Sequence, residues 1–335
     1  MLKVVDLFCG MGGATLGYEN SGCKVVLAID KWEEALETHS ANIPDVPTLC
    51  CDISVIPLDE IPEADVYHLS PPCQSFSTSG KQEGFQSANG NLFLLSLNIL
   101  KEKKPNIFII ENVKGLLSHL AKNPNIFAGF EEYHINQLLL NARDCGVCQS
   151  RERVFIIGIK KVFGYFEMPD KVKNNQTFQD VIKAVEGKNY GLPEHSQSLI
   201  DKIAHIKQGG NVLDIPEEIR PVAFKNSYSR LYLDKLPPTI TRNFNCPSSA
   251  NCIHPLENRG LSVAEALFIQ GFPTHWLVRG KSKNLQIGNA VPPKMIEWIV
   301  SGIRLYNEDN LFRQGGHNDI PDNRTGRESK ASEPC

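Results

Sequence analysis

The pattern that most constrains the fold is a recurrence of short apolar runs separated by stretches of helical character. The runs predict strands over Lys3–Phe8, Lys24–Ile29, Ala64–Leu69, Asn106–Ile110 and Arg153–Ile159. The intervening stretches predict helices over Ala14–Asn20, Glu33–Asn42, Leu92–Lys103 and Glu131–Asn141. Short apolar runs that alternate with helices are typical of a parallel sheet covered on both faces. The sequence therefore predicts an α/β fold with a doubly wound, mostly parallel sheet.

The composition and periodicity of the sequence change after about residue 161. Residues 165–255 are richer in Asn, Pro, Gln and Gly and lack clean periodicity, which indicates a smaller, irregular module. Helical and strand patterns return at Ser262–Ile269 and Ile296–Leu305. We therefore predict a large domain formed by residues 1–164 and 259–310, a smaller domain formed by 165–258, and a polar tail, 311–335, that we expect to be disordered.

The bulk composition narrows the class of protein. The net charge of −3, from 35 basic and 38 acidic residues, excludes an overall polybasic chain but allows a local basic cleft. No apolar run reaches 18 residues, and the N-terminus carries Asp6 in place of a long apolar core, so we expect neither a membrane span nor a signal peptide. We accordingly expect a cytoplasmic protein whose ten cysteines are reduced thiols.

One pair of cysteines has the spacing of a metal site. Cys145 and Cys148 form a CxxC motif, but a zinc site would need two further ligands at matching spacing, and none is apparent. We therefore expect this pair to be structural and predict no metal.

A small-molecule site is indicated at the ends of the first three predicted strands. A glycine-rich loop, Phe8–Gly13, follows the first strand, where glycines allow close approach of a ligand. Asp30 ends the second strand, where an acid can bind ribose hydroxyls, and Asp52 offers an acid suited to an adenine amino group. Because Thr15 occupies the last position of a GxGxxG pattern, S-adenosylmethionine suits this loop better than a dinucleotide. The alternative is a set of tight turns in a generic α/β enzyme.

A second site is indicated by the stretch SPPCQSFS, residues 70–77. Two prolines hold the Cys73 thiol on a stiff, irregular loop, and Glu111 also follows a predicted strand. Arg151 and Arg153 supply positive charge that would favour the thiolate. The thiolate could add to carbon 6 of cytosine while Glu111 meets ring nitrogen 3 and Arg153 meets the carbonyl oxygen, so that carbon 5 accepts a methyl group. Taken singly, each of these motifs is more often structural, and it is their joint placement at strand ends that favours a catalytic site.

Several motifs together resemble those of the DNA (cytosine-5) methyltransferase family of the bacterial restriction-modification type. They span most of the chain from Lys3 to Leu305 in the family's order. The motifs are DLFCGMGG (6–13), SPPCQSFS (70–77), NGNLF (89–93), ENV (111–113), QSRERVFIIG (149–158), RGLSVAEALFIQGFP (259–273) and QIGNAVPP (286–293).

The resemblance implies a Rossmann-like, S-adenosylmethionine-dependent methyltransferase fold. It implies that Cys73 is the nucleophile, that Glu111 binds nitrogen 3, and that Arg151 and Arg153 are active-site arginines. It also implies that the last helix, from Pro293, packs beside the first strand. The S-adenosylmethionine pocket would be lined by Phe8, Gly10, Met11, Gly13, Asp30, Asp52, Ile53, Pro72, Leu92, Asn289 and Val291.

Two positions depart from the family pattern. The family often carries an aromatic residue directly after the ribose-binding acid, where this chain has Lys31 followed by Trp32. Cys148 stands where a proline often precedes the QxRxR run, and we attach no function to it.

The implied partner is duplex DNA, from which the target cytosine must be flipped out of the helix. We expect the loop Ser75–Asn91 to close over the flipped base, and residues 165–258 to act as the target-recognition domain. Candidates for base readout are Lys225–Arg230 and Thr239–Ser249. We expect a monomer, associated with the nucleoid, for which a restriction endonuclease acting on the same site could exist as a partner.

Three other functions are compatible with parts of the pattern. A tRNA cytosine-5 methyltransferase would share the chemistry, although a recognition segment as long as residues 165–258 favours DNA. A catalytically silent DNA-binding relative would not need Cys73, Glu111 and Arg153. A small-molecule methyltransferase would not need the long irregular module.

Overall fold

A seven-stranded sheet organises the chain in the computed structural model, which describes residues 1–72, 88–188, 190–223, 227–249 and 251–306. In space the strands follow the order β3-β2-β1-β4-β5-β7-β6, and β7 runs antiparallel to both of its neighbours. The strands are β1 (Lys3–Leu7), β2 (Lys24–Asp30), β3 (Thr48–Cys50), β4 (Val66–Leu69), β5 (Ile107–Asn112), β6 (Tyr133–Asn141) and β7 (Glu152–Lys160). The predicted doubly wound, mostly parallel sheet is confirmed.

Helices cover both faces of this sheet because successive strand residues point to opposite sides. On β1, Val4 packs in one buried cluster and Val5 in another; on β5, Ile107 and Phe108 divide in the same way. The helices of the first half are α1 (Gly13–Asn20), α2 (Glu33–Asn42), α3 (Ala88–Lys103) and α4 (Leu116–Ala121). Strands that are buried on both faces explain the continuous apolar runs in the sequence.

The helix predicted over Glu131–Asn141 is wrong, because this segment forms the edge strand β6. Leu138, Leu139 and Leu140 are strong helix formers, but β6 pairs with β7 over its whole length, from Tyr133 to Asn141. Long-range pairing therefore overrides local helix propensity here.

The second half of the chain adds shorter elements and two further buried clusters. The elements are β8 (Gly164–Phe166), α5 (Phe178–Ala184), α6 (Gln197–Ala204), α7 (Val263–Gln270), α8 (Lys283–Asn289), α9 (Pro293–Ser301) and β9 (Ile303–Leu305), which pairs with β8. One cluster joins Phe178 to Leu267 and Ile287, and a smaller one contains Ile203 and Ile253. The proposed domain boundaries stay a prediction.

Arg230 holds the smaller cluster together and is removed from the candidates for base readout. Its buried guanidinium donates to the carbonyl oxygens of Ile203, Ile206, His254 and Glu257 and to the side-chain oxygen of Asn258, at 2.7–2.8 Å. A guanidinium that is committed to so many internal acceptors cannot reach a DNA groove.

The two ends of the described chain meet where α9 packs against α1. A Cβ atom on Gly17 of α1 would lie 2.5 Å from the carbonyl oxygen of Pro293 and 2.6 Å from the Cβ of Ile296, so the helices approach at a distance that only glycine allows. Met295 and Ile299 of α9 share a buried cluster with Val4 of β1. The last helix thus packs against α1, the helix that follows the first strand, and its placement beside β1 itself stays a prediction.

Some predictions fall outside the described residues. These are the position of the Cys73 thiol, most of the loop Ser75–Asn91, part of Lys225–Arg230, and the tail 311–335. Among the helices of the described ranges, none has the length and apolar character needed to cross a bilayer.

Candidate active site

The carboxyl ends of four neighbouring parallel strands form the candidate site. Phe8 follows β1, Asp30 ends β2, Ser70 follows β4, and Glu111 is the penultimate residue of β5. Because β1 lies between β2 and β4, and β4 pairs with β5, these residues meet along one edge of the sheet. The register that pairs Leu69 with Ile110 places Ser70 beside Glu111. In open α/β sheets, ligands bind at this edge.

The glycine-rich loop after β1 has an unusual backbone. Phe8, Gly10 and Gly12 have φ angles of 62°, 53° and 93°, and this left-handed region is costly for a residue with a Cβ such as Phe8. A Cβ on Gly10 would meet no atom of the described residues within 4 Å, whereas one on Gly12 would lie 2.8 Å from the ring of His39. Gly10 therefore faces open space, where a ligand can approach the backbone.

Asp30 connects this loop to the start of α2. Its Oδ2 accepts from the Gly10 N–H at 2.8 Å, and its Oδ1 accepts from the Trp32 N–H at 2.9 Å. Burial raises the pKa of Asp30, although these backbone donors oppose the rise. Each carboxylate oxygen retains a lone pair, so Asp30 can still accept hydrogen bonds from ribose hydroxyls.

Asp52 and Lys31 form an ion pair near Asp30. Lys31 Nζ lies 3.1 Å from Asp52 Oδ2, and Asp52 Oδ1 accepts from both the N–H and the hydroxyl of Ser54. These hydrogen bonds from Ser54, with the help of Lys31, lower the pKa of Asp52. Lys31, which occupies the position where the family often has an aromatic residue, thus neutralises a carboxylate.

The other residues of the predicted cofactor pocket differ in exposure. Gly13 contacts the Val291 backbone: a Cβ on Gly13 would lie 2.1 Å from the Val291 carbonyl oxygen. The side chain of Met11 is instead buried in the apolar cluster around α7. Ile53 and Val291 are buried, Pro72 and Leu92 are half-buried, and Asn289 is exposed.

Glu111 and Arg153 form the charged centre of the site. Arg153 Nε lies 3.1 Å from Glu111 Oε1 in an ion pair, and the two side chains are only 15% and 12% exposed. Burial raises the pKa of Glu111; Arg153, Arg151 and the Ser70 hydroxyl oppose the rise. A carboxyl held in this balance can give a proton to a ring nitrogen and take it back.

Asn112, the central residue of the ENV motif and one to which the sequence assigned no role, links β5 to the segment that leads to Cys73. Its Nδ2 donates to the Pro71 carbonyl oxygen at 3.1 Å, and its Oδ1 accepts from the Val113 N–H at 2.9 Å. The side chain is 1% exposed. A buried amide with both ends satisfied fixes the backbone just before the cysteine. In the sequence, the sign of this role is a polar residue that directly follows Glu111 at the end of an apolar run.

Arg151 has different surroundings from Arg153. It is 1% exposed, and its guanidinium donates to the carbonyl oxygens of Ile240, Gly288 and Ala290. Gln149 lies alongside, accepting from the Ile240 N–H and donating to the side chain of Gln270. The QxRxR run therefore ties the sheet to two distant segments through Gln149 and Arg151, while Arg153 contacts Glu111.

A second buried polar group, also missed from the sequence, supports the glycine-rich loop. The Thr15 hydroxyl donates to Asp6 Oδ2 at 2.7 Å and lies 3.0 Å from His39 Nε2. Burial raises the pKa of Asp6 to about 7 and lowers that of His39 to about 4. The signal was an acid inside the apolar run KVVDLF.

The two CxxC cysteines are packed in buried apolar clusters. Cys145 and Cys148 are buried, and burial raises the pKa of each thiol to about 12, so neither is a ready nucleophile. Within the described ranges, no three His, Cys, Asp or Glu side chains are grouped as metal ligands would be.

Comparison with known proteins agrees with this arrangement. Residues 2–304 match the family model described as C-5 cytosine-specific DNA methylase. The chain is 31% identical to Type II methyltransferase M.DdeI of Desulfomicrobium norvegicum, over 92% of each protein, and 30% identical to Type II methyltransferase M1.HphI of Haemophilus parahaemolyticus, over 91% of this chain and 87% of that one. The crystal structure of S. pombe Dnmt2 methyltransferase has the same fold, with a TM-score of 0.65 at 18% identity over 90% of this chain and 98% of that one. The chain belongs to the C-5 cytosine-specific DNA methylase family.

Proposed function

We propose that this enzyme methylates carbon 5 of a cytosine in a specific duplex DNA sequence, through a flipped-out base and a transient covalent bond to Cys73. The observation that carries the proposal is the half-buried Glu111–Arg153 pair beside the Pro71–Pro72 backbone that leads to Cys73. A cytosine ring needs a proton source at nitrogen 3 and a donor to its carbonyl oxygen. Glu111 and Arg153 have those chemical properties and lie side by side, 3.1 Å apart.

Each residue has one role in this scheme. The Cys73 thiolate forms a bond to carbon 6, Glu111 gives its proton to nitrogen 3, and the π electrons of the 5,6 double bond shift toward carbon 5. Arg153 donates to the carbonyl oxygen of the ring. After methylation, a base such as solvent water takes the carbon 5 proton, and the sulfur–carbon bond breaks to release the Cys73 thiolate. Nitrogen 3 returns its proton to Glu111, which restores the neutral aromatic ring and the starting enzyme. Arg151 would hold the surrounding backbone in place.

S-adenosylmethionine, when bound, supplies the methyl group. The described residues fit it: Gly10 faces open space, Asp30 keeps lone pairs for ribose hydroxyls, and Gly13 packs against the backbone of Val291. Asp52, Ile53, Pro72, Leu92 and Asn289 are proposed to complete the pocket, and Phe8, in its strained conformation, to contact the ligand. Met11, whose side chain is buried in the apolar cluster around α7, would contribute to the pocket only through its backbone.

DNA would be recognised by residues 165–258. Flipping a cytosine costs a few kcal/mol, which contacts to the DNA backbone and to the displaced base would offset. Within Thr239–Ser249, Thr241, Arg242, Ser248 and Ser249 are exposed and remain candidates for reading bases, whereas Phe244 is buried in the core.

The biological role we propose is protection of DNA from a restriction endonuclease that recognises the same sequence. Two relatives that match the chain over most of their length are named Type II methyltransferases. We propose that the enzyme acts as a monomer in the cytoplasm, associated with the nucleoid.

The test is methyl transfer from labelled S-adenosylmethionine to duplex DNA, with tRNA as a second substrate. Cys73→Ser should abolish transfer, whereas Cys50→Ser, which alters an exposed thiol, should not. DNA containing 5-fluorocytosine should trap a covalent complex, because the carbon 5 position then lacks a removable proton. Transfer that persists in Cys73→Ser, or labelling of tRNA in place of DNA, would overturn the proposal.

A further inference from the structure

A chain of buried polar side chains leads from α1 to the Glu111 carboxyl. The Tyr18 hydroxyl lies 3.1 Å from His68 Nδ1, and His68 Nε2 lies 2.9 Å from Ser70 Oγ. Tyr18 and His68 are fully buried. Ser70 is next to Glu111 in the register of β4 and β5, and its hydroxyl lowers the pKa of the Glu111 carboxyl.

We infer that Tyr18 and His68 are positioning residues, which orient the Ser70 hydroxyl so that it donates to Glu111 when Glu111 passes its proton to the cytosine ring. This inference rests on the role of Glu111 in the proposed function. Neither Tyr18 nor His68 would touch the substrate; they would act through Ser70.

The direction of the hydrogen bonds follows from the chemistry of a buried imidazole. Burial lowers the pKa of His68 to about 3, so the ring is neutral and has one donor and one acceptor. When Tyr18 donates to Nδ1, the ring proton is on Nε2 and is donated to the Ser70 oxygen. The Ser70 proton then remains for Glu111. The opposite tautomer would require Ser70 to donate to Nε2 and would turn its proton away from Glu111.

The Tyr18–His68–Ser70 hydrogen bonds are surrounded by other buried polar groups of α1, β1 and β4. Thr15 and Tyr18 lie on the same face of α1, and they reach Asp6 on β1 and His68 on β4, which are paired across the two strands. Among the described residues, the titratable groups that act on Tyr18 are His68, Asp6 and Cys23. Those that face Glu111 from the β7 side are Arg153 and Arg151.

The effect should appear in the chemical step. As the proton moves from Glu111 to nitrogen 3, negative charge develops on the carboxylate, and a donor already aimed at that oxygen becomes more stabilising. Loss of the Tyr18–His68–Ser70 hydrogen bonds should therefore lower kcat more than it changes KM for DNA or S-adenosylmethionine.

The experiment measures the ionisation of Glu111 directly. Protein labelled with ¹³C at the glutamate side-chain carboxyl is titrated by NMR, and the Glu111 signal is identified by its absence in Glu111→Gln. The test variant is Tyr18→Phe. The matched control is Tyr67→Phe, since Tyr67 is equally buried on β4 but donates to the Pro62 carbonyl oxygen. Ser70→Ala and the Ser70→Ala/Tyr18→Phe double variant complete the set.

The expected result is an upward shift of the Glu111 titration by about 0.5–1 pH unit in Tyr18→Phe, with kcat about 3- to 10-fold lower. Tyr67→Phe should match the wild type in both. Ser70→Ala should give a shift at least as large, to which Tyr18→Phe adds nothing. Tyr18→Phe behaving like Tyr67→Phe, or additive effects of the two changes, would overturn the inference while leaving the role of Glu111 intact. Full activity of Glu111→Gln would overturn both.

Discussion

Replacing Arg151 by lysine should destabilise the protein while affecting the chemistry little, and replacing Arg153 by lysine should do the reverse. Arg151 donates from two guanidinium nitrogens to three carbonyl oxygens, at 2.9, 3.1 and 3.4 Å, in a site that is 1% exposed. The single nitrogen of lysine cannot span the same acceptors, so one or two charge-assisted hydrogen bonds are lost. At about 1.5–3 kcal/mol each, the free energy of unfolding should fall by about 2–4 kcal/mol.

Thermal unfolding provides the measurement. The entropy of unfolding for a chain of 335 residues is about 0.7 kcal/mol per degree, so Tm should fall by about 3–6 °C in Arg151→Lys. Arg304→Lys is the control, because Arg304 is 41% exposed and pairs with Glu167 at the surface, where such pairs contribute less than about 1 kcal/mol.

Measurements of kcat should distinguish the Arg151 and Arg153 variants. Arg153→Lys should leave Tm within about 2 °C of the wild type and lower kcat about 100-fold, because a lysine cannot contact Glu111 and the ring oxygen with the same geometry. Arg151→Lys, assayed well below its Tm, should keep kcat within about fivefold. An Arg151→Lys protein of unchanged Tm that loses activity as completely as Arg153→Lys would refute this division and make Arg151 a residue that contacts substrate.

Three other changes test the packing and the buried polar groups. Gly17→Ala should lower the free energy of unfolding by about 1–3 kcal/mol in urea denaturation, because its Cβ would meet the Pro293 carbonyl oxygen at 2.5 Å; a stability gain would contradict the close α1–α9 contact. The pKa of Asp6 is about 7 in the folded protein against 3.8 for the unfolded chain. The free energy of unfolding of the wild type, compared with that of Asp6→Asn, should therefore fall by roughly 2–3 kcal/mol between pH 5 and pH 7. If the two proteins had parallel pH profiles, Asp6 would be ionised in the folded protein throughout this range. Asn112→Ala should lower kcat about tenfold, because the Pro71 carbonyl loses its donor; steady-state rates equal to the wild type would remove Asn112 from the positioning of Cys73.

The parts of the fold that could be predicted are those encoded by local sequence. The strands β1, β2, β4, β5 and β7 are buried on both faces and therefore read as continuous apolar runs, and Asp30 and Glu111 could be placed because they lie at the ends of such runs. The edge strand β6 lacks this signal, since many of its side chains are partly or fully exposed and its leucines favour a helix.

The parts that could not be predicted depend on contacts between distant segments. Arg151 and Arg153 are equivalent in the sequence QSRER, but Arg151 precedes β7 and its direction is set by carbonyl groups near residues 240 and 290. His68 and Asn112 became interpretable only once β4 was placed between β1 and β5. A hydrogen bond between strands that are far apart in sequence has no local pattern.

The packing of α9 against α1 means that an early helix must wait for a late one during synthesis. Until about residue 300 has left the ribosome, Tyr18 and its apolar neighbours lack the partner that shields them, and Gly13 lacks the Val291 backbone. At typical rates of synthesis, the nascent chain must remain in that state for roughly 15–60 s. A product truncated before about residue 290 would therefore leave this apolar surface uncovered, and the methyl donor would lack part of its proposed binding surface until Val291 is in place.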